Sequence, residues 1–338
     1  MRHFRPNLHL AHIKAPILMK TKWMISLALG LPLAALASLE QKSPPTPPAN
    51  ASSPVLVWDV APELRTGLPR SFRTTNDPLK VKAGVAANTA GLAQLHASGS
   101  AEFTADTLKA MLAKLPGKVT IFDLRQEDHG FINGIAVSWY ATNNWANVGK
   151  SPKEVSTDEK QKLNSCGVGS EITLSNDAAI KDPSATATTE HVKVQEVLTE
   201  KKLIAANGAS YVRIPVSDHC RPTDEAVDQF VRSVHMLPAD GWAHFHCRAG
   251  KGRTTTFLVL YDMLRNAREV ALQDIVNRQS ALIGDYNVLA TEPGNDSEGG
   301  KAGVAADRAA FVKAFYDYAR ANPNGSPQLW SEWLKTQS

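Results

Sequence analysis

"HFHCRAGKGRTTTFLVLYDML", residues 244–264, decides the fold. Its first residues complete "GWAHFH", Gly241 to His246, which reads as a buried strand. From Thr254 onward, Phe257, Leu260, Tyr261 and Leu264 recur at helical spacing. Between strand and helix lies "CRAGKGR". With Cys247 at the strand end and Arg253 at the helix start, Arg248, Ala249, Gly250, Lys251 and Gly252 must wrap tightly, and the two glycines permit unusual backbone angles. Successive N–H groups then converge at a helix N-terminus, a cradle for a tetrahedral dianion. The same positive field favours the thiolate of Cys247. Arg253 can hold two phosphoryl oxygens bidentately, which lysine cannot copy. The loop lacks the Gly-x-x-x-x-Gly-Lys-[Ser/Thr] order of a nucleotide-binding loop.

Outward from this loop the chain alternates strands and helices, which implies an α/β layer fold. Upstream, Tyr211 to Val216 is a strand, "SDHCRP" a polar loop, and Pro222-Thr223 the opening of a helix whose first turn carries Asp224 and Glu225. "KVTIFDLR", Lys118 to Arg125, is a second buried strand. It follows a helix with Leu108, Met111, Leu112 and Leu115 on one face, capped by Thr104 or Asp106. Downstream, helices are expected around Leu272–Leu282 and Ala305–Arg320. The polar stretch 151–210, with runs such as "EITLS" and "HVKVQEVL", reads as an all-β insertion. Trp139, Trp330 and Trp333 read as core.

The N-terminus is of another kind. Lys20 and Lys22, the apolar run Trp23–Leu36 and Ala35-Leu36-Ala37 read as a secretory signal peptide, with cleavage expected after Ala37 and Met19 expected as the start; an uncleaved anchor is the alternative. The run is short for a membrane span, so no stable membrane anchoring is expected. A Pro/Ser-rich linker over 38–59 follows, ahead of one domain over 60–338. Residues 1–37 hold five basic side chains and no acids, so their removal takes 37 basic residues to 32 against 33 acids, a net −1 rather than +4. Nucleic-acid binding by bulk charge is therefore unsupported, and any anion preference must come from a local cluster. Of three cysteines, Cys166 and Cys220 are the candidate disulfide if Cys247 is chemical; three free thiols is the alternative.

The pattern Cys-x5-Arg-Thr, preceded by His246, resembles the signature of the cysteine-dependent, protein-tyrosine-phosphatase superfamily. That resemblance implies that Cys247 is the nucleophile, Arg253 the phosphate clamp and Asp218 of "SDHCRP" the general acid and then base. Thr254 would hydrogen-bond the Cys247 sulfur and His246 would hold the loop. Arg248 and Lys251 add cations that one phosphotyrosine does not need and a ligand with several phosphates does.

"FDLRQEDHGFINGIAVSWY" (Phe122–Tyr140), "NNWANVG" (Asn143–Gly149), "LPRSFRTTNDP" (Leu68–Pro78), "DIVNRQSALIG" (Asp274–Gly284) and the C-terminal "FVKAFYDYARANPNGSPQLWSEWLK" (Phe311–Lys335) are similar to segments of bacterial tyrosine-phosphatase-like phytases. The similarity spans roughly residues 60–338 and is weakest over the insertion. It implies a tyrosine-phosphatase-like core, a central sheet flanked by helices with a small β-barrel-like insertion, and stepwise hydrolysis of myo-inositol polyphosphates. It implies no metal or other cofactor, no obligate protein partner, and a periplasmic or secreted location. It places His219, Arg73, Asp123 and Lys301 around the substrate, with Asp123 alternatively anchoring the loop at Arg125. An exported protein phosphatase and a silent inositol-phosphate-binding module are the competing functions.

Overall fold

The computed structural model describes Met1 and residues 53–81, 87–182, 184–284, 286–291, 303–322 and 328–337. In chain order, β1 (Val55–Trp58), β2 (Arg73–Thr74) and β3 (Ala97–Ser100) precede α1 (Ala105–Leu112). Next come β4 (Val119–Arg125), β5 (His129–Ile132), β6 (Ile135–Tyr140), α2 (Pro152–Ser165), β7 (Glu171–Ser175), α3 (Ala178–Lys181), β8 (Thr189–Lys193), β9 (Val197–Leu198) and α4 (Glu200–Ala206). The remainder is β10 (Ser210–Val216), α5 (Asp224–His235), β11 (Trp242–His246), α6 (Gly252–Asn266), α7 (Leu272–Ile283), α8 (Val304–Ala321) and α9 (Trp330–Gln337).

Five strands form the central sheet in the order β10-β4-β11-β3-β2, parallel except for β2. Strands β3, β4 and β11 are buried on both faces because helices cover both. Phe122, Leu124 and Phe245 face a core built with α5 to α9, while Val119, Ile121 and Trp242 face α1 and α4. Phe122 stacks on Phe245 at 4.8 Å, and Phe230 of α5 meets Phe257 of α6 edge-on at 5.1 Å. Each fully buried phenylalanine contributes about 2–3 kcal/mol by area removed from water. The C-terminal ends of β4, β10 and β11 consequently open onto one edge, the usual ligand position in a parallel sheet.

A second sheet, β8-β7-β1-β6-β5-β9, packs around Trp58, Ile132, Val137, Leu174 and Val192. Its β5–β6 hairpin turns on Asn133-Gly134, both at positive φ (51° and 77°), the pairing a two-residue hairpin demands. Here the structure corrects two expectations. Strand β1 lies inside the stretch assigned to the linker and pairs with both β6 and β7. The 151–210 stretch is not all-β: it contains α2, α3 and α4, and the second sheet draws β1, β5 and β6 from elsewhere. Helix α2 is polar outside but well started, with Ser151 and Glu154 capping each other and Pro152 in the first turn.

The cap at Thr104 and the cap at Thr223 are both present, each hydroxyl accepting from a backbone N–H three residues on. Trp330 and Trp333 are core residues beside Phe311, Phe315 and Tyr318, whereas Trp139 is only partly buried, against the second sheet's core. The signal-peptide stretch and Lys301 lie outside the described residues. No helix among the described residues is long and apolar enough to cross a membrane.

Candidate active site

Cys247 follows β11 directly and is almost wholly buried. The chain then turns through residues 248–251 into α6. Gly250 sits at φ +70°, and a Cβ there would lie 2.3 Å from the Ala101 backbone nitrogen. Conformation and space both exclude a side chain at this position. Ala249 and Lys251 are exposed at the rim. Among the described residues, no protein acceptor takes the backbone N–H groups of Ala249 to Arg253. They are five donors at the start of a 15-residue helix, the arrangement that favours an anion. The Thr254 hydroxyl donates to Cys247 Sγ at 3.1 Å.

Arg253 is fixed before any ligand arrives. Its Nη1 and Nη2 donate to Glu127 Oε2 and Oε1 at 2.7 and 2.9 Å, and Nη1 also reaches the Val216 carbonyl at 3.1 Å. Its Nε is buried without a partner. Glu127 in turn accepts from Arg125 Nε at 2.9 Å, so one carboxylate orients two guanidinium groups. Burial opposes ionisation of Glu127, but Arg253 and Arg125 outweigh it and hold the carboxyl far below the ordinary range.

Asp218 stands on the loop after β10, its side chain 28% exposed and Oδ1 3.3 Å from Arg253 Nη2. The loop is tied from several sides. Trp145 Nε1 donates to the Asp218 carbonyl at 2.9 Å, Arg308 Nη1 to the His219 carbonyl at 3.1 Å, and Ser217 Oγ to Gln126 at 2.5 Å. His219 adopts φ +67°, and its N–H donates to Asp218 Oδ1 at 3.0 Å. Cys220, two residues beyond Asp218, has its thiol pushed up to about 12 by burial and by the Asp218 charge. The Cys166–Cys220 disulfide is not formed, and all three cysteines are free. Cys166 ends α2 in the core of the second sheet, whereas Cys220 belongs to the acid loop.

His246 is buried beneath the loop, with Nε2 2.8 Å from Glu200 Oε1 and Nδ1 3.7 Å from Glu102 Oε2. Neither contact is aligned as a hydrogen bond, so the attraction is between charges. Burial would discharge the ring, but Glu200 and Glu102 raise its pKa to about 9.

Two expectations about substrate contacts, those for Asp123 and Arg248, are corrected. Asp123 is fully buried, and its carboxylate accepts from Tyr211 OH at 2.7 Å and from the Arg125 N–H at 2.8 Å. It anchors the loop at Arg125, as the alternative reading had it. Arg73 is 2% exposed and braces the reaction loop from beneath, donating to the Gly250 carbonyl at 2.9 Å and to Thr255 Oγ1 at 3.0 Å. Arg248 does not hold its charge out for a ligand: Nε donates to Asp59 at 2.6 Å and Nη1 to Asp177 at 2.5 Å, and the guanidinium lies 4.6 Å over the Tyr140 ring. Lys251 differs, being exposed with no ion-pair partner among the described residues.

The groups among the described residues that could gather a metal ion are Glu102, His129 and Glu200, and Asp123, Glu200 and His246. They form instead a buried ion network with Arg125 and Arg213. Both histidines have raised pKa values beside these carboxylates, which favours the protonated form, one with no lone pair for a metal.

A buried thiol at a strand end, a hydroxyl on its sulfur, a carboxylate-oriented arginine and a partly exposed aspartate beside that arginine define the reaction centre of the cysteine-dependent phosphatases. Comparison with known proteins narrows the class. The family model of the PTP-like phytases, described as inositol hexakisphosphate, matches residues 122–265. A PTP-like phytase structure from Bdellovibrio bacteriovorus is 38% identical, with a TM-score of 0.70, covering 87% of this chain and 98% of its own. A PTP-like myo-inositol phosphatase from Mitsuokella multacida, solved with myo-inositol-(1,3,4,5)-tetrakisphosphate, is 35% identical with a TM-score of 0.75, over 85% of this chain and 50% of that one. The effector protein hopD2 of Pseudomonas syringae pv. tomato is 34% identical over 282 residues, 82% of this chain and 59% of the effector. The chain thus spans only half to three fifths of the Mitsuokella and Pseudomonas relatives. It belongs to the PTP-like phytase family.

Proposed function

We propose that the protein is an exported, cysteine-dependent phosphoric monoester hydrolase acting on myo-inositol polyphosphates, inositol hexakisphosphate among them. The observation that carries this reading is the Thr254–Cys247–Arg253 cradle with its unengaged backbone N–H donors. The likeness to a phosphatase solved with an inositol tetrakisphosphate supports the substrate class. Export rests on the signal pattern at Met19–Ala37.

In the first step the Cys247 thiolate attacks phosphorus, the S–P bond forms and the P–O ester bond breaks. Protonated Asp218 gives its proton to the leaving inositol oxygen. Arg253 and the loop N–H groups take the charge of the equatorial oxygens. In the second step Asp218, now a carboxylate, removes a proton from water, whose oxygen attacks the phosphocysteine. Inorganic phosphate leaves and the thiolate returns, eased by the Thr254 hydroxyl. His219, Lys251 and the rim at Ala249 and Gly252 face the substrate's other groups. Because Arg248 is tied to two carboxylates, Lys251 is the loop cation left to read polyphosphate character.

Side-by-side kcat/KM on inositol hexakisphosphate and on a phosphotyrosine peptide, both in EDTA, tests the proposal. It expects preference for the inositol phosphate and no loss with the chelator. A preference for the peptide would make the protein a tyrosine phosphatase instead, and loss in EDTA would remove the metal-free mechanism.

A further inference from the structure

We propose that a cleft beside the reaction loop, between Lys251 and Lys80, is a second phosphate subsite holding a substrate phosphate that is not being cleaved. The proposal rests on the inositol polyphosphate reading and adds a location and a residue, Lys80, to it. The cleft is a cavity of about 140 Å³ whose lining includes Ser71, Phe72, Arg73, Lys80, Lys251 and Tyr286. Among the described residues its lining carries three cationic side chains and no carboxylate. That composition suits an anion and repels a metal cation.

Several features show a cavity held in shape. The Lys80 N–H donates to the Ala281 carbonyl of α7 at 3.0 Å, which fixes where the side chain starts. The Tyr286 hydroxyl stands against the first residue of α6, 3.1 Å from where a Gly252 Cβ would lie. The cleft therefore flanks the same helix N-terminus that supports the cradle. Arg73, wholly engaged on its Nη atoms, has its buried Nε without a partner.

Lys80 and Lys251 are both exposed, and neither makes an ion pair among the described residues. Other lysines of the chain do pair: Lys150 with Asp158, Lys162 with Asp128 and Lys181 with Asp177. Because Lys251 belongs to the loop that grips the scissile phosphate, a group reaching the cleft comes from the same small molecule. A phosphate elsewhere on an inositol ring fits this description, and an aryl monophosphate has nothing to place there. Two ammonium groups beside a helix N-terminus give such a phosphate charge-assisted contacts.

The test compares wild type, Lys80→Glu and Lys80→Arg on inositol hexakisphosphate and p-nitrophenyl phosphate. Lys80→Glu is expected to raise KM for the hexakisphosphate about 5- to 10-fold, with kcat changed less than about twofold, and to leave p-nitrophenyl phosphate turnover unchanged. Lys80→Arg is expected to restore most of the loss. If wild type releases phosphate from the hexakisphosphate and Lys80→Glu does so with unchanged KM, the subsite is wrong and the function stands. If Lys80→Glu slows both substrates equally, its effect is on the loop, and the subsite is again wrong. If wild type hydrolyses p-nitrophenyl phosphate and not the hexakisphosphate, the functional reading falls and the subsite with it.

Discussion

Substituting Glu127 by Gln removes one charge from the centre of the site and almost nothing else. The carboxylate is buried, takes both Nη atoms of Arg253 at 2.7 and 2.9 Å, and takes Arg125 Nε at 2.9 Å. Glutamine keeps the volume and one acceptor oxygen, but its NH₂ group must face a guanidinium N–H. Removing a whole partner from a buried ion pair costs about 3–5 kcal/mol, a large share of a typical domain's stability. The isosteric change should cost about 2–3 kcal/mol, the upper range for a charged hydrogen bond. For a domain of this size that is a Tm lower by roughly 4–8 °C. Catalysis should suffer more than stability, because Arg253 must meet two phosphoryl oxygens at once. A displacement of about 1 Å costs on the order of 100-fold in rate. Stopped assays with p-nitrophenyl phosphate give kcat and KM, and differential scanning calorimetry gives Tm. A positioning role predicts a fall in kcat at temperatures where the variant is fully folded. Glu127→Gln with wild-type kcat and a lowered Tm would show that Glu127 only holds the fold.

Two further outcomes follow from the same network. Arg248→Met removes a cation already paired with Asp59 and Asp177, so KM for inositol hexakisphosphate should change less than about twofold while Tm falls by several degrees; a large rise in KM with unchanged Tm would restore Arg248 to the substrate. Because the pKa of His246 is raised from 6.5 to about 9 in the folded state, its contribution to stability is complete below pH 6.5 and is lost as pH rises through 9. Tm should therefore decline between pH 7 and 9.5, and His246→Gln should flatten that decline, as thermal melts across the range would show; an unaltered slope would mean another group titrates.

What could be read from the sequence was local. The Cys247–Arg253 loop, the helix after it and the strand before it follow from periodicity and glycine placement over some twenty residues. Thr104 and Thr223 were readable as caps because a cap acts within three positions. Helix α2 had the same kind of signal in Ser151-Pro152 and Glu154, masked by the polarity of its outer face. The supports of the site were not readable, because they are distant in sequence. Arg125 meets Asp59 66 positions away, Arg253 meets Glu127 at 126, and Arg248 meets Asp59 at 189. A cation's sign can be read from a sequence; whether a carboxylate already neutralises it depends on packing. Arg248 and Lys251 look alike in "CRAGKGR" for this reason, and only the fold separates them. Asp123 shows the same limit: its strand was plain, but not that its carboxylate points to Tyr211 and away from the loop mouth.

In the proposed reaction, hydrolysis of a polyphosphorylated inositol depends on Cys247 as nucleophile. Inorganic phosphate released from inositol hexakisphosphate should be measured for purified wild type and for Cys247→Ser, with binding of the same ligand followed by calorimetry. Release by wild type, and binding without turnover by the serine variant, are the predicted results. Turnover by Cys247→Ser at the wild-type rate would contradict that role.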